Sequence, residues 1–138
     1  VMLIYFGYTY CPDVCPMTLS HLKVGMLELA EEAKGVQVLF VSIDPERDTR
    51  DKLNEYVPYF HPDFIGLTGS VSDVGIVARQ YGAGYFKQEV ESVEGYFMAH
   101  TDAVFLVDQK GRYRGRYKTE RDMEKLISDI QWLLITNS

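Results

Sequence analysis

Two cysteines, Cys11 and Cys15, are the only ones in the 138-residue chain, and three residues lie between them. They stand in the stretch YFGYTYCPDVCP, between an apolar run and Pro16. A buried strand, a tight turn and a helix start, in that order, would put both sulfurs at a helix N-terminus. There the positive end of the backbone dipole and the unpaired N–H donors favour a thiolate. An exposed dithiol of this kind can exchange disulfides or bind a soft metal. The spacing is C-x-x-x-C, not the C-x-x-C of thiol-disulfide oxidoreductases, and the extra residue widens the loop and eases chelation. Two thiolates suit Cu(I), which accepts two or three ligands. Structural zinc wants four, and the chain has no second cysteine pair. Two unrelated free cysteines are the remaining alternative, although such cysteines seldom come as a pair framed by prolines at a strand-to-helix turn.

The elements that must position this pair can be read from periodicity. Met2 to Tyr8 is apolar on both faces, as in a strand of a parallel sheet covered by helices. Pro16 fits the first turn of a helix, and Leu19, Leu22, Met26 and Leu29 follow at helical spacing. Val36 to Ile43 is a second buried strand, and Asp44-Pro45 starts a turn. Asp48 or Thr49 would cap the next helix, in which Pro58 should kink or end the pattern. Ile65 to Leu67 is a short strand. Ser70 or Ser72 caps a third helix that Gly82 and Gly84 close. Tyr85 to Met98 is expected to be a hairpin turning near Glu94-Gly95. Ala103 to Val107 is another buried strand, paired through the turn Gln109-Lys110-Gly111 with Arg112 to Lys118. A last helix carries Met123, Leu126, Ile127, Ile130, Leu133 and Leu134 as one apolar stripe.

The order β-α-β-α-β-α-β-β-α implies an α/β protein with a central, mixed but mostly parallel sheet covered by helices on both faces. With a cysteine pair after the first strand, it suggests one thioredoxin-like domain over residues 1–138. The first residue already stands inside an apparent core strand. The expectation is therefore a chain from the interior of a longer protein, with any leader or anchor upstream. In such a sheet the loop before the strand Ala103–Val107 faces the cysteine turn. Thioredoxins place a cis-proline there, but this chain has no proline after Pro62. His100 is thus the histidine best placed to supply a third ligand. His21 is expected to be solvated and His61 to lie on the surface.

Other features point elsewhere or nowhere. With 14 basic against 20 acidic side chains, a net charge of −6, there is no nucleic-acid footprint. No stretch approaches the ~18 apolar residues of a membrane span. Gly82-Ala83-Gly84 follows a helix and lacks the third glycine of a dinucleotide motif. Arg112, Arg114, Arg116 and Lys118 alternate, so regular pleating would put all four on one face. That face is either a solvated edge or a docking face for an acidic partner or anionic lipid. Tyr8 and Tyr10 flank the dithiol and could shield it.

The segments YFGYTYCPDVCP (5–16), VSIDPERDT (41–49), FIGLTG (64–69) and HTDAVFLVDQKGRY (100–113) run in one order through the chain. Together they resemble the Sco (SenC/PrrC) family of thioredoxin-like copper proteins of cytochrome c oxidase assembly. The resemblance implies copper, as Cu(I) or Cu(II), held by Cys11, Cys15 and His100. It implies a copper metallochaperone that helps load the binuclear copper site of cytochrome c oxidase subunit II. The expected partners are that subunit, a copper-donor chaperone and a thiol reductant protein. A different class is also implied: a thiol-disulfide oxidoreductase in which Cys11 and Cys15 reduce the cysteines of that copper site, without need of His100. Whether the chain is an enzyme therefore stays open. A peroxidase of the same fold fits less well, because Thr9 stands two residues before Cys11, not three as in the Thr-x-x-Cys turn of peroxiredoxins. Family members are tethered to the bacterial inner membrane facing the periplasm, or to the mitochondrial inner membrane on the intermembrane-space side.

This chain departs from the family pattern at Tyr10, where many members have His, and at Ala99, where Asp often precedes the histidine. Asp102 could substitute for that Asp. Asp44 and Asp48 match an acidic pair of the family's second loop, read either as turn and cap chemistry or as a docking or copper-tuning loop. Asp13 could cap the first helix.

Overall fold

The computed structural model describes residues 1–10, 14–89, 96–100 and 102–136, with the backbone alone at 14–15, 86–89 and 96–100. Its centre is β1 (Met2–Gly7), buried on both faces because its side chains alternate between two layers of helix. Tyr5 points to one face, where its ring meets Phe40, which meets Tyr56 on the helix Arg50–Phe60. Phe6 points to the other, against Tyr81 of the helix Val71–Tyr81 and against Phe105.

The remaining elements follow in the expected order. α1 (Val14–Leu29) runs into a short 3-10 turn, Ala30–Gly35. After it come β2 (Gln37–Ser42), α2 (Arg50–Phe60), β3 (Ile65–Leu67) and α3 (Val71–Tyr81). Then come β4 (Tyr85–Glu89), β5 (Tyr96–His100), β6 (Val104–Val107), β7 (Tyr113–Tyr117) and α4 (Thr119–Thr136). The main sheet has the order β3-β2-β1-β6-β7. β1, β2 and β3 run parallel, β6 is antiparallel to β1, and β7 is antiparallel to β6. Four strands thus share a direction and β6 alone opposes them. β4 and β5 form a separate antiparallel ribbon. Their antiparallel pairing agrees with the expected hairpin, and the turn expected near Glu94-Gly95 lies outside the described residues.

Local chemistry explains most boundaries. The Thr49 side chain caps α2 by accepting from the Lys52 N–H, and Ser70 caps α3 by accepting from the Asp73 N–H. Gly82 closes α3 at φ 75°, a left-handed conformation that a Cβ would strain. Pro58 does not end α2 at once, for the helix runs on to Phe60. The Asn54 carbonyl that loses its N–H partner belongs to an exposed residue, where water can serve. Gly66 admits α2 to the sheet: a Cβ there would sit 3.0 Å from both Leu53 and Val57. The Tyr117 hydroxyl donates to Asp129 at 2.6 Å and ties α4 to β7.

The arginine strand departs from its expected single face. A bulge shifts the β6–β7 register, so that Val107 faces Tyr113 while Leu106 faces Gly115. Arg116 therefore lies over Phe105, on the α3 face, at 5.6 Å. Arg114 instead turns to the α4 face, 5.9 Å from the Trp132 ring. The strand presents no uniform basic face.

The β6–β7 turn is closed by Asp108, which is 4% exposed. Its carboxylate accepts from the backbone N–H groups of Lys110 and Arg112 and from Nε of Arg112 at 2.8 Å. Burial pushes this carboxyl up, but those backbone donors and the guanidinium together hold it below its ordinary value of 3.8. Because the folded pKa is the lower one, the stabilisation is complete above that ordinary value and is lost as pH falls through the folded value. The stability gap between the protein and Asp108→Asn in urea unfolding should thus be constant from about pH 7 to about pH 5 and narrow below about pH 4. A gap unchanged down to about pH 2 would contradict this account.

Candidate functional site

Four chain segments meet at the end of the sheet where β1 finishes. β1 delivers Tyr8, Thr9 and Tyr10 toward the cysteines, and Ile43 follows β2 alongside it, its N–H bonded to the Gly7 carbonyl at 2.9 Å. Helix α1 starts here. Because β6 opposes β1, its first residue, Val104, stands beside Tyr5. The link from β5 into β6 therefore arrives at this same end. His100 is the last residue of β5 and pairs with Tyr85. Cys15 is the second residue of α1. Cys11 and Asp13 lie outside the described residues, and the side chains of Cys15 and His100 are not described. Among the described residues no group of three or more His, Cys, Asp or Glu side chains gathers as a metal site.

Two carboxylates hold the segments that flank these residues. Asp48 is fully buried. It accepts from the Thr9 N–H at 3.0 Å, the Thr9 hydroxyl at 2.6 Å and the Ser42 hydroxyl at 2.7 Å. The exit of β1, the end of β2 and the approach to α2 are thereby bound to one group. Asp102 does the same on the other flank, accepting from the Tyr5 hydroxyl at 3.3 Å and the Thr18 hydroxyl at 3.2 Å. Thr18 lies three residues after Cys15 in the same helix. Asp102 lies two residues after His100.

Asp44 and Asp48 of the second loop are both buried and form no exposed docking patch. Asp44 is 2% exposed and forms an ion pair with Arg47 Nε, while its backbone N–H donates to the Ser42 hydroxyl at 3.1 Å. Capping of α2 falls to Thr49, which frees Asp48 for Thr9. Two cations, one from this loop and one from α2, stand beside Tyr10. Lys52 Nζ lies 3.6 Å and the Arg47 guanidinium 4.3 Å from the centre of the Tyr10 ring. Tyr10 is half-exposed and borders a groove of about 650 Å³ with Thr9, Lys52, Tyr56, Tyr59 and Phe60. Tyr8 is buried, so of the two flanking tyrosines only Tyr10 reaches the surface.

The other histidines are occupied elsewhere. His21 is not simply solvated: Nδ1 shares a 2.8 Å hydrogen bond with the Thr119 hydroxyl and joins α1 to α4. His61 precedes β3, at the opposite end of the parallel strands, where Nδ1 accepts from the Asp63 N–H and the ring stacks on Phe64. Thr9, Thr18 and Ser42 were not singled out by sequence reasoning. The available signal was modest: two hydroxyls flank the dithiol, two residues before it and three after.

Replacing Asp48 by Ala removes the acceptor from three donors at once. Urea unfolding should show a loss of about 2–3 kcal/mol. Thr9→Val in the same chain should add much less than it costs alone, because the two share one interaction. A loss under about 0.5 kcal/mol for Asp48→Ala would show that the carboxylate does not organise this end.

Comparison with known proteins adds identity to this geometry. The family model described as SCO1/SenC matches residues 1–135. "Protein SCO1 homolog 1, mitochondrial" of Arabidopsis thaliana is 38% identical over 130 residues, 93% of this chain and 38% of that protein. The chain spans between 38% and 52% of the length of the first curated relatives it matches. The crystal structure of Arabidopsis thaliana ScoI with copper bound superposes with a TM-score of 0.85 at 34% identity, over 95% of this chain and 84% of that one. The structure of BsSco, described as having a disulfide switch and as a member of the Sco family of cytochrome c oxidase assembly proteins, superposes with a TM-score of 0.68. It is 25% identical and covers 94% of this chain and 77% of its own. With the mixed thioredoxin-like sheet, the cysteine turn at the end of β1 and a family match over nearly the whole chain, this protein belongs to the SCO1/SenC family.

Proposed function

We propose that this chain carries a single copper ion for the maturation of the binuclear copper site of cytochrome c oxidase subunit II. The ion is its cargo, taken from a copper-donor chaperone. Cys11 and Cys15 supply thiolates and His100 supplies an imidazole nitrogen. The observation that carries this reading is the pair of hydrogen bonds from Tyr5 and Thr18 to Asp102. They draw the segment after His100 onto the helix that carries Cys15 as its second residue. A copper-bound relative of the same fold supports the choice of metal.

The donor set suits both oxidation states differently. Two thiolates complete the low coordination number that Cu(I) prefers, whereas Cu(II) seeks a tetragonal set in which an imidazole counts for more. Binding needs the reduced dithiol, so loading is linked to redox state and to a thiol reductant partner. We place the protein on the periplasmic face of a bacterial inner membrane or the intermembrane-space face of the mitochondrial one, tethered by a segment outside this chain. Among the described residues no helix is long and apolar enough to cross a membrane.

The disulfide switch described for BsSco favours a second reading, a dithiol reductant of the same oxidase site. His100 separates the two. Titration of the reduced chain with Cu(I) against a competing chelator should give one ion per chain. Cys11→Ser and Cys15→Ser should each weaken binding at least tenfold, about 1.4 kcal/mol. His100→Ala should impair Cu(II) binding and copper delivery while leaving reduction of a disulfide substrate intact. Unchanged affinity in both cysteine variants would falsify the carrier assignment, and unimpaired delivery by His100→Ala would favour the reductant.

A further inference from the structure

We infer that Asp102 is a positioning residue that docks the His100 segment onto the cysteine-bearing helix, and that it thereby sets affinity for Cu(II) selectively over Cu(I). The inference rests on the ligand set proposed above.

The topology creates the need for such a group. His100 ends a strand that pairs only with β4, in a ribbon outside the main sheet. A two-stranded ribbon is marginal by itself, so its placement depends on what ties it to the body. At the β4 end, Tyr85 is half-buried against the core, and its hydroxyl reaches to 3.6 Å from where a Cβ on Gly75 would stand. At the β5 end the described tie is Asp102. One of its oxygens, Oδ1, accepts from two elements at once: Tyr5, fully buried on the central strand, and Thr18, 4% exposed on α1. Neither donor can drift, because each belongs to a regular element packed in the core. This fixed point is two positions along the chain from His100, and one helical turn separates Thr18 from Cys15. The clasp therefore sets how far the imidazole-bearing backbone stands from the start of α1.

The selectivity follows from coordination chemistry. On the proposed ligand set, Cu(I) is held by the two thiolates of the segment that leads into α1. Cu(II) depends also on the nitrogen of His100. A group that orients a metal ligand without touching the metal typically changes affinity by 10–100-fold. Here the change should fall on one oxidation state.

The test compares Asp102→Ala, Thr18→Val, Asp102→Asn and His100→Ala in the reduced chain. Each is measured for Cu(I) by chelator competition, for Cu(II) by titration, and by the nitrogen hyperfine pattern of the Cu(II) spectrum. Asp102→Ala should weaken Cu(II) by about tenfold or more and erode the nitrogen pattern. Cu(I) affinity should move by less than about threefold, and apo-protein melting shows that the chain is folded. Thr18→Val should act in the same direction and carries the expectation if Asp102→Ala does not fold. Asp102→Asn keeps an acceptor oxygen and should restore most of the Cu(II) affinity. In the His100→Ala background, Asp102→Ala should have no further effect, since it acts through that histidine. Equal losses for both oxidation states, or no Cu(II) loss in Asp102→Ala and Thr18→Val, would overturn the inference. If His100→Ala alone leaves Cu(II) binding unchanged, the ligand assignment fails and the inference fails with it. If His100→Ala weakens Cu(II) and the clasp variants do not, only the positioning role is lost.

Discussion

A carboxylate with no water around it must be surrounded by donors, and that requirement shapes the functional end of this molecule. Asp48 is wholly inaccessible, and burying such a group unbonded would be prohibitive. Among the described residues its donors are Thr9, beyond β1, and Ser42, at the end of β2. The bonds can form only if the chain leaves β1 at one angle, beside β2 and under the loop into α2. The path into the cysteine turn is thereby settled two residues before Cys11. The same loop turns Arg47 back to Asp44 and lays its guanidinium on Tyr10. Positive charge thus comes to rest beside the turn as a consequence of satisfying a buried negative one.

The second flank depends on strand direction. Had β6 run parallel to β1, the segment before it would have emerged at the far end of the sheet. Its reversal brings residues 102 and 103 to the end where α1 begins. Asp102 then locks that arrival to Tyr5 and Thr18. Antiparallel insertion and a bifurcated acceptor together unite parts of the chain that are more than eighty residues apart.

How much of this was legible in the sequence depends on the range of the signal. β1 and β6 announce themselves as short apolar runs because both of their faces are covered. The stripe of α4 and the left-handed glycine at residue 82 are equally local. The β4–β5 pairing agrees with the hairpin expected over Tyr85 to Met98. The split of the arginines over two faces was not legible. It comes from a bulge opposite Leu106 and Val107, and no local residue preference demands an extra residue there. His21 was read from its own helix alone, whereas its partner Thr119 belongs to an element almost a hundred residues later. Asp48 looked like a helix cap because Asp and Thr are both good caps. Thr49 could take that role and Asp48 could not be spared, but only the fold reveals the competing demand from Thr9. Cys11, Cys15 and His100 were nominated by residue chemistry, topology and family resemblance. What lay beyond reach was the hydroxyl and carboxylate scaffold around them, since threonines and aspartates are common on every surface.

This scaffold bears on how a carrier could both hold and release an ion. Tight binding asks for rigid donors, and transfer asks that at least one donor yield first. On the proposed reading the chain divides these demands between two supports. Of the thiolates, Cys11 follows a segment held by Asp48 at Thr9, and Cys15 belongs to the first turn of a sixteen-residue helix. The imidazole belongs to a ribbon outside the main sheet, attached near it by hydrogen bonds of 3.2 and 3.3 Å to one carboxylate oxygen. Neutral hydroxyl donors at such lengths make modest bonds, weaker than the short contacts around Asp48. The weaker clasp is therefore on the donor that Cu(I) can do without. On that reading, loss of the imidazole would leave Cu(I) to the two thiolates of Cys11 and Cys15.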